Sequence, residues 1–565
     1  MPQGLGFYLN LVRQPGRTYA RIARSRRVPG GVKTEIIVNL GRVSSEQIVS
    51  LQRWIASNPL QPTPTDARLV DLRLLRVTRS WSYGREALAH FLWWKLGLHR
   101  IVLESLNGVP GKAHVERAIE TMVLNRLAEP TSKWGLQNWM RDSATPFLLG
   151  YGDAPRYDNA FYRAMDHLHR RQDDLEPRIY RGVVRPLSSS ASVLYHDLTS
   201  TYCERSPGGL VQFGYSRDGM DSRPQVNWGM VVTPEGFPIT ALAYPGNTKD
   251  ETTVIGMRQR LQQVFGVAGG LYVGDRGLRT HEIVADLVEH GFHYILAERN
   301  SSKVGQEALQ RATKMPAGRV SRTNVAREVV TADGGRHVVL LNEHRRRELL
   351  EILEHRQQQG KAILTAWRKR VGKRHHHEIL QGAQEELRNA GLQDLFELGF
   401  DEDTIQGLTS EWKVKVERTK AWAGWWVLST DTELPAAEVV RIYQGLTVIE
   451  QGWKEIKSVL EVRPLHHRLE RRIESHLLLC ELAYLVERII EHKVREAGLT
   501  QQGTPMTGWG AVASFRTMVA SQLEVGTSGV RFTRTTDPTT EQRGIIQALG
   551  LEESAFEKGW TGLGV

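Results

Sequence analysis

The stretch "GGLYVGDRG", residues 269–277, has the pattern of a short buried strand that ends on Asp275. A second short apolar run, "ASVLYHDLTST" at 191–201, leads up to Asp197. Between 190 and 300 such strand-like runs are interleaved with helical segments, of which "DETTVIGMRQRLQQVFG" at 250–266 is the longest. This order predicts an α/β fold, with a sheet covered on its faces by helices.

Asp197 and Asp275 each lie where an apolar run ends. Carboxylates in this position project from the end of a sheet into the crevice where α/β proteins bind their ligands. A single strand-end aspartate usually caps a turn. Two of them in one predicted sheet also fit a site for Mg²⁺ or Mn²⁺, because hard cations prefer oxygen ligands. The sequence pattern leaves both interpretations open, a turn cap and a metal site.

The segment "YQGLTVIEQGWKEIK", residues 443–457, predicts an amphipathic helix that supplies a third carboxylate. At about 100° per residue, its apolar side chains fall on one narrow stripe that faces a core: Ile442, Leu446, Ile449, Trp453, Ile456 and Leu460. A second stripe runs along the edge of that face: Tyr443, Glu450, Lys454 and Lys457. Either the helix presents this second stripe to a site, or the four residues are aligned by chance.

Three carboxylates on a strand-strand-helix frame indicate phosphoryl transfer assisted by two metal ions. Asp197, Asp275 and Glu450 would be the metal ligands. Lys454 and Lys457 would hold phosphates, while Tyr443 would donate to a phosphate or stack beside a sugar. A net charge of +11 and a pI near 9.5 suit a nucleic-acid partner. Charge alone fits a merely basic enzyme equally well.

The remaining sequence suggests further units. "TYARIARSRR" and "KTEIIVNLGR", joined by "VPGG", predict a basic β-hairpin over residues 1–45. The arginines of this hairpin would form either a solvated surface or a surface that binds phosphates; they include Arg24, Arg26 and Arg27. From 84 to 172 the spacing is helical, with a break at Pro130. This region fits a DNA-reading bundle, although any helix-bundle core has the same pattern.

The composition bounds the class of protein. A chain of 565 residues is too long for one core. Cys203 and Cys480, its two cysteines, exclude a disulfide scaffold and a cysteine-based zinc finger, and they fit a reducing cytosol. No stretch approaches the roughly 18 apolar residues of a membrane span. We therefore expect a cytoplasmic protein with no membrane partner.

The chain resembles the DDE transposases of bacterial insertion sequences, in the superfamily with a tyrosine-arginine-glutamate-lysine signature. Tyr443, Glu450 and Lys457 match the signature's spacing, and Leu446 occupies the position of its arginine. Further matching segments are "NLGR", "NRLAEPTSK", "HDLTST", "FGYSRDGMDSRPQV", "PGNTKDETT", "VGDRG" and "EVRPLHHRLERRIESHLLLC". The resemblance therefore covers nearly the whole chain.

The resemblance implies an RNase H-like mixed-sheet catalytic core with Asp197, Asp275 and Glu450 as catalytic metal ligands for two Mg²⁺ ions, which Mn²⁺ can replace. The 175 positions between Asp275 and Glu450 imply an insertion domain that interrupts this core. The expected units are the hairpin at 1–45, a helical DNA-binding and dimerisation region at 46–185, the core at 186–300 and 421–495, the insertion at 301–420, and a C-terminal region at 496–565.

The resemblance also implies the partners and the reaction. The protein would act on double-stranded DNA at transposon ends and at a target, as a homodimer that synapses two ends near the bacterial nucleoid. Relatives sometimes stack a flipped base on a tryptophan. Trp425 and Trp426 alternate along a predicted strand, so only one should face DNA, and Trp426 is the candidate. A role in the core is the alternative for either residue, and the one that the pattern favours. Another RNase H-like nuclease and a non-catalytic DNA-binding derivative are the alternatives.

Overall fold

The computed structural model describes residues 7–15, 17–28, 31–44, 47–49, 51, 75–151, 158–188, 192–370, 375–400, 408–412, 414–525 and 530–558. The chain separates into two compact units. The smaller contains the described residues of 1–81 and 520–535, and the larger those of 82–519 and 536–558.

The strands, in chain order, are β1 (Phe7–Gln14), β2 (Arg17–Val28), β3 (Gly31–Val43), β4 (Leu75–Ser82), β5 (Val193–Tyr202), β6 (Gln225–Val232), β7 (Pro238–Pro245), β8 (Gly270–Gly274), β9 (Phe292–Glu298), β10 (Gly318–Arg319), β11 (Asn324–Val330), β12 (Arg336–Asn342), β13 (Phe396–Phe400), β14 (Leu408–Trp412), β15 (Trp425–Thr430), β16 (Thr500–Gln501), β17 (Thr504–Pro505), β18 (Val519–Val525) and β19 (Val530–Thr535).

The α-helices are α1 (Gly84–Lys95), α2 (Leu98–Ser105), α3 (Lys112–Ala128), α4 (Leu136–Asp142), α5 (Thr145–Leu148), α6 (Asp158–Ile179), α7 (Arg185–Leu187), α8 (Val254–Gln263), α9 (His281–Glu289), α10 (Lys303–Ala312), α11 (Glu343–Arg368), α12 (His376–Asn389), α13 (Val414–Ala421), α14 (Ala436–Gln444), α15 (Thr447–Ser458), α16 (Glu470–Glu496), α17 (Gly508–Ser514), α18 (Thr540–Ala548) and α19 (Glu553–Lys558).

The smaller unit is built from antiparallel strands. β2 pairs with β3, and β1, which the sequence analysis did not anticipate, adds a third strand beside β2. A separate sheet in the order β19-β18-β4 joins strands from opposite ends of the chain. Arg24, Arg26 and Arg27 belong to β2, but their side chains lie outside the described part of the structure. Their proposed contact with phosphate therefore stays a prediction.

The helices predicted between 84 and 172 are present in the larger unit. Helix α3 ends at Ala128, just before the break that was predicted at Pro130. The 27-residue α16 is buried along most of its length. Its neighbour α6 is tied to β7 and α8 through Glu176, whose carboxylate accepts from Thr240 Oγ1 at 2.9 Å and pairs with Arg260 at 2.6 Å. Among the described residues, no helix has both the length and the apolar character to cross a lipid bilayer.

A large mixed sheet forms the centre of this unit and confirms the predicted α/β class. In the described part of the chain its strand order is β10-β11-β12-β15-β9-β8-β5-β6-β7. β5, β8 and β9 run parallel to one another, while β6 and β7 pair antiparallel beyond β5. β6 is buried at every position, so the residues on both of its faces are covered.

The segment predicted as an insertion, 301–420, falls into two parts. β11 and β12 extend the large sheet through antiparallel pairing of β12 with β15. The described residues from α11 to α13 share an apolar cluster of their own, in which Leu364, Trp367, Ile379 and Leu387 are buried. Sequence patterns could not separate these parts, because a strand that joins a distant sheet and one that begins a new domain have the same local pattern.

Candidate active site

Strand pairing brings Asp197 and Asp275 together. β5 and β8 are parallel neighbours, and their register pairs His196 with Gly274. Asp197 is the next residue of β5, and Asp275 directly follows β8, so the two carboxylates come from adjacent strands. Neighbouring strands lie about 4.8 Å apart. Asp275 also begins a short 3₁₀ turn at Arg276–Leu278, in which Leu278 N–H donates to the Asp275 carbonyl at 2.9 Å. The turn stops β8 at this point.

Glu450 reaches the same place from a helix that is not continuous. The sequence predicted one helix through 443–457, but α14 ends at Gln444 and α15 begins at Thr447. Tyr195 of β5 contacts the chain at this break, where its hydroxyl donates to the Ile442 carbonyl at 2.8 Å. A Cβ on Gly445 would lie 2.1 Å from that hydroxyl, so only glycine allows the close approach.

The predicted apolar stripe is buried on both sides of the break. Ile449 and Ile456 are fully buried, and the Trp453 ring lies 5.1 Å from that of Trp228 on β6. This packing fixes the rotation of α15 about its axis, which leaves Glu450 exposed in the first turn of the helix. Leu446, at the position of the signature arginine, is buried with the rest of the stripe.

The three carboxylates share one electrostatic environment. Burial raises the pKa of Asp197 to about 7, with smaller contributions from the charges of Asp275 and Glu450. Burial and the Asp275 charge likewise raise the pKa of Glu450, and the nearby Lys454 ammonium opposes that shift. Arg217 in turn favours the ionised form of Asp197. A cation placed among the carboxylates would relieve their repulsion.

Tyr443 completes this group from the end of α14. Its hydroxyl donates to Asp275 Oδ1 at 3.3 Å. Burial, and then the Asp275 and Glu450 charges, raise the pKa of the phenol, so Tyr443 remains a proton donor at neutral pH. The geometry gives it a carboxylate partner within the protein rather than the phosphate or sugar suggested by the sequence.

The donor set fits a hard divalent cation, since it consists of carboxylate oxygens on three separate elements. Among the described residues, no three His, Cys, Asp or Glu side chains converge into a ready-made metal cage. The carboxylates are electrostatic neighbours whose remaining coordination would fall to water and substrate oxygens, as is usual for Mg²⁺.

A cleft of about 1740 Å³ opens in front of this group. Asp275, Tyr443 and Glu450 form part of its wall. Ordinary small-molecule pockets measure about 300–1,000 Å³, so the space suits a larger substrate. Basic side chains from separate segments also line the cleft: Arg217, Lys249, Arg276, Arg299, Arg345 and Arg356. The sequence pattern indicated none of these six, because only the folded chain brings them to one cleft.

Trp426 lies in the cleft wall and is half-buried. Trp422 and Trp425 also belong to the cleft wall. That only one of Trp425 and Trp426 faces DNA stays a prediction. Trp425 also packs on a small apolar cluster and under Arg327, whose guanidinium is 5.3 Å from its ring centre.

The two lysines of the predicted polar stripe lie in different environments. Lys454 is exposed near Glu450, whereas Lys457 is largely buried and donates to Asp218 Oδ1 at 2.8 Å. Arg463 contacts the other oxygen of Asp218 at 2.5 Å. Burial lowers the pKa of Lys457, and Asp218 partly offsets that shift. The structure therefore gives Lys457 a protein carboxylate as its partner, where the sequence suggested a phosphate.

Comparison with known proteins identifies the family. Residues 189–486, more than half of the chain, match the family model described as the transposase DDE domain. No curated protein is significantly similar in sequence. One similar solved structure is a piggyBac transposase synaptic complex with hairpin DNA, with 9% identity and a TM-score of 0.37 over 76% of this chain and 79% of that one, too distant to establish a shared fold. On the strength of the matched domain, the chain belongs to the DDE transposase family.

Proposed function

We propose that this protein binds the terminal inverted repeats of an insertion sequence and catalyses metal-dependent cleavage and strand transfer of DNA. Family membership implies DNA transposition. The observation that carries the finer proposal is the grouping of Asp197, Asp275 and Glu450, with raised pKa values at Asp197 and Glu450, beside a large cleft that also contains basic side chains.

The sheet supports an RNase H-like description of the core. In the strand order β7-β6-β5-β8-β9, only β6 runs antiparallel to the other four strands. Asp197 lies on β5 and Asp275 directly follows β8, its central neighbour. Glu450 then comes from a later helix that packs beside β5. In this arrangement three widely separated parts of the sequence supply one site.

Asp197, Asp275 and Glu450 would hold Mg²⁺, with Mn²⁺ as a substitute. When bound, the metal supplies Lewis-acid catalysis at the scissile phosphodiester. Tyr443 orients Asp275 through its hydrogen bond, Arg217 favours ionised Asp197, and Lys454 favours ionised Glu450. No side chain needs to act as a covalent nucleophile, since a water molecule and then the freed 3′-hydroxyl attack phosphorus. The protein's share of catalysis is positioning and charge neutralisation.

The cleft wall supplies the substrate contacts in this proposal. Arg345 and Arg356 on α11 and Lys249 after β7 would contact phosphates, and Trp426 would stack on a base. Two copies of the chain would hold the two transposon ends in a synaptic complex, and the target would be double-stranded DNA of the bacterial nucleoid.

The decisive experiment uses labelled DNA that carries the inverted repeats flanking the gene. Purified wild type and Glu450→Gln are compared in Mg²⁺, in Mn²⁺ and in EDTA. We expect metal-dependent nicking at the repeat boundary, lost in the variant while DNA binding survives. Equal cutting by both proteins would remove Glu450 from the site. Cutting without regard to the repeats would favour an RNase H-like nuclease of another kind.

A further inference from the structure

The loop between β5 and β6 holds unusually exposed aromatic side chains. Tyr215 is 82% exposed and Phe213 is 53% exposed, with Met220 at 42% a few residues later. Tyr215 is also part of the wall of the cleft that contains Asp275 and Glu450. Large apolar groups grouped at the rim of a functional cleft usually mark a contact surface.

The backbone beneath these side chains is firmly held. Gln212 and Gln225 exchange backbone hydrogen bonds of 3.0 and 2.8 Å. The buried Gln225 side chain donates to the Tyr215 carbonyl and to the Gly246 carbonyl, both at 2.9 Å. Between the two aromatics, Gly214 is pressed against the backbone of Gly246, where a Cβ would lie 2.0 Å from the carbonyl oxygen. The exposed ring therefore stands on a rigid base.

The residues that follow Tyr215 are anchored as well. The buried Ser216 hydroxyl accepts from the backbone N–H of Met220 at 3.0 Å. Arg217 N–H donates to Ser200 on β5 at 3.1 Å, and the Arg217 guanidinium pairs with Asp250. Asp218 bonds Lys457, as described above. Tyr215 is thus fixed within two residues of Arg217, whose charge acts on Asp197.

A rigidly mounted, solvent-exposed ring beside a polyanion site is suited to stacking on a nucleobase, whose π-face any aromatic side chain can cover. Stacking requires a base that is not enclosed in a duplex. We propose that Tyr215, flanked by Phe213, stacks against an unpaired base next to the DNA end held in the cleft. This inference rests on the proposed function for the identity of the ligand as DNA.

The test measures binding without metal, so it does not depend on cleavage. Dye-labelled DNA ending in the inverted repeat is prepared as a blunt duplex and with a three-nucleotide single-stranded tail containing 2-aminopurine. Wild type is compared with Tyr215→Ala and with Tyr215→Phe, which keeps the ring. The matched control is Trp134→Ala, because Trp134 is 75% exposed and lies outside the lining of the cleft.

Wild type should prefer the tailed DNA by roughly tenfold, about the effect of one stacked base. Tyr215→Ala should lose this preference and the accompanying quenching of 2-aminopurine, whereas Tyr215→Phe and Trp134→Ala should retain both. Equal preference in wild type and Tyr215→Ala would overturn the proposal. A wild type that prefers tailed DNA but never cuts at the repeats would refute the proposed function and leave the stacking role intact.

Discussion

The two ends of α15 differ sharply, although the sequence aligned them on one stripe. At the first turn, Glu450 is exposed to the cleft, and its carboxylate shares repulsion with Asp275. Toward the last turn, Lys457 is largely buried and bonded to Asp218, which Arg463 also contacts. At the Glu450 end, like charges repel each other, and a cation would relieve this repulsion. At the Lys457 end, opposite charges neutralise one another within the protein.

This difference shows what helical periodicity can and cannot predict. The spacing of the apolar side chains fixes which side of α15 faces the sheet. It does not reveal what lies opposite each polar residue, because the partners come from loops distant in sequence. Removing a carboxylate charge near Glu450 should therefore stabilise the folded protein, whereas removing the charge of Lys457 should destabilise it.

The largest effect is expected for Asp197→Asn. If Asp197 ligates the metal as proposed, its loss should reduce cleavage on the order of 10³-fold. The metal-free variant should nevertheless be more stable than wild type at pH 8. An acid with a folded-state pKa of about 7, above its unfolded value, costs folding stability as pH rises from about 4 to 7.

Thermal unfolding of both proteins in EDTA across pH 4–8 measures this effect. The difference between them should grow as pH rises and level off above about pH 7. Mg²⁺ should then raise the unfolding temperature of wild type but not that of the variant. A variant less stable than wild type at pH 8 would contradict a raised pKa at Asp197.

Lys457→Met should give the second-largest effect, on stability. Removing one partner of a buried ion pair costs roughly 3–5 kcal/mol. Here we expect about 2 kcal/mol, because Arg463 still compensates Asp218. Lys454→Met is the matched control on the same helix, since Lys454 is exposed and should change stability by less than about 0.5 kcal/mol. The midpoints of urea unfolding measure the stability of both variants. Equal midpoints for the two variants would show that the buried ion pair contributes little to stability.

Much of the sheet and most of the site group followed from local sequence. Asp275 could be recognised because an apolar strand ends at it, and Glu450 because a core stripe fixes its helix. Asp197 was found although the strand-end prediction was wrong for it, because β5 continues to Tyr202. The break between α14 and α15 was not visible, because the contact that Tyr195 makes there comes from some 250 positions earlier in the chain. Arg345 and Arg356 were equally invisible, since α11 carries charges on several faces and only folding shows which face borders the cleft.

The double variant Arg345→Gln with Arg356→Gln tests that cleft-facing side of α11. Each phosphate contact contributes about 0.9 to the slope of log affinity against log salt, so the double variant should lower the slope by up to about 1.8. Arg347→Gln is the control, because Arg347 is exposed on the same helix but is not part of the cleft wall. Titrations with repeat-end DNA at several salt concentrations measure the slope. An unchanged slope would exclude this face of α11 from phosphate binding.

The smallest effect is expected for Tyr443→Phe, and a second phenol provides its counterpart. Tyr443 donates to Asp275 over a long 3.3 Å, so its loss should weaken apparent Mg²⁺ affinity in cleavage by only about threefold. Tyr195 donates at 2.8 Å to a backbone carbonyl at the break between α14 and α15. Tyr195→Phe removes this hydrogen bond, leaves the carbonyl with the one from Gly445 N–H at 3.0 Å, and should cost about 1 kcal/mol of stability. If Tyr443→Phe instead lowered stability and left the metal dependence unchanged, Tyr443 would belong with Lys457 among the structural contacts.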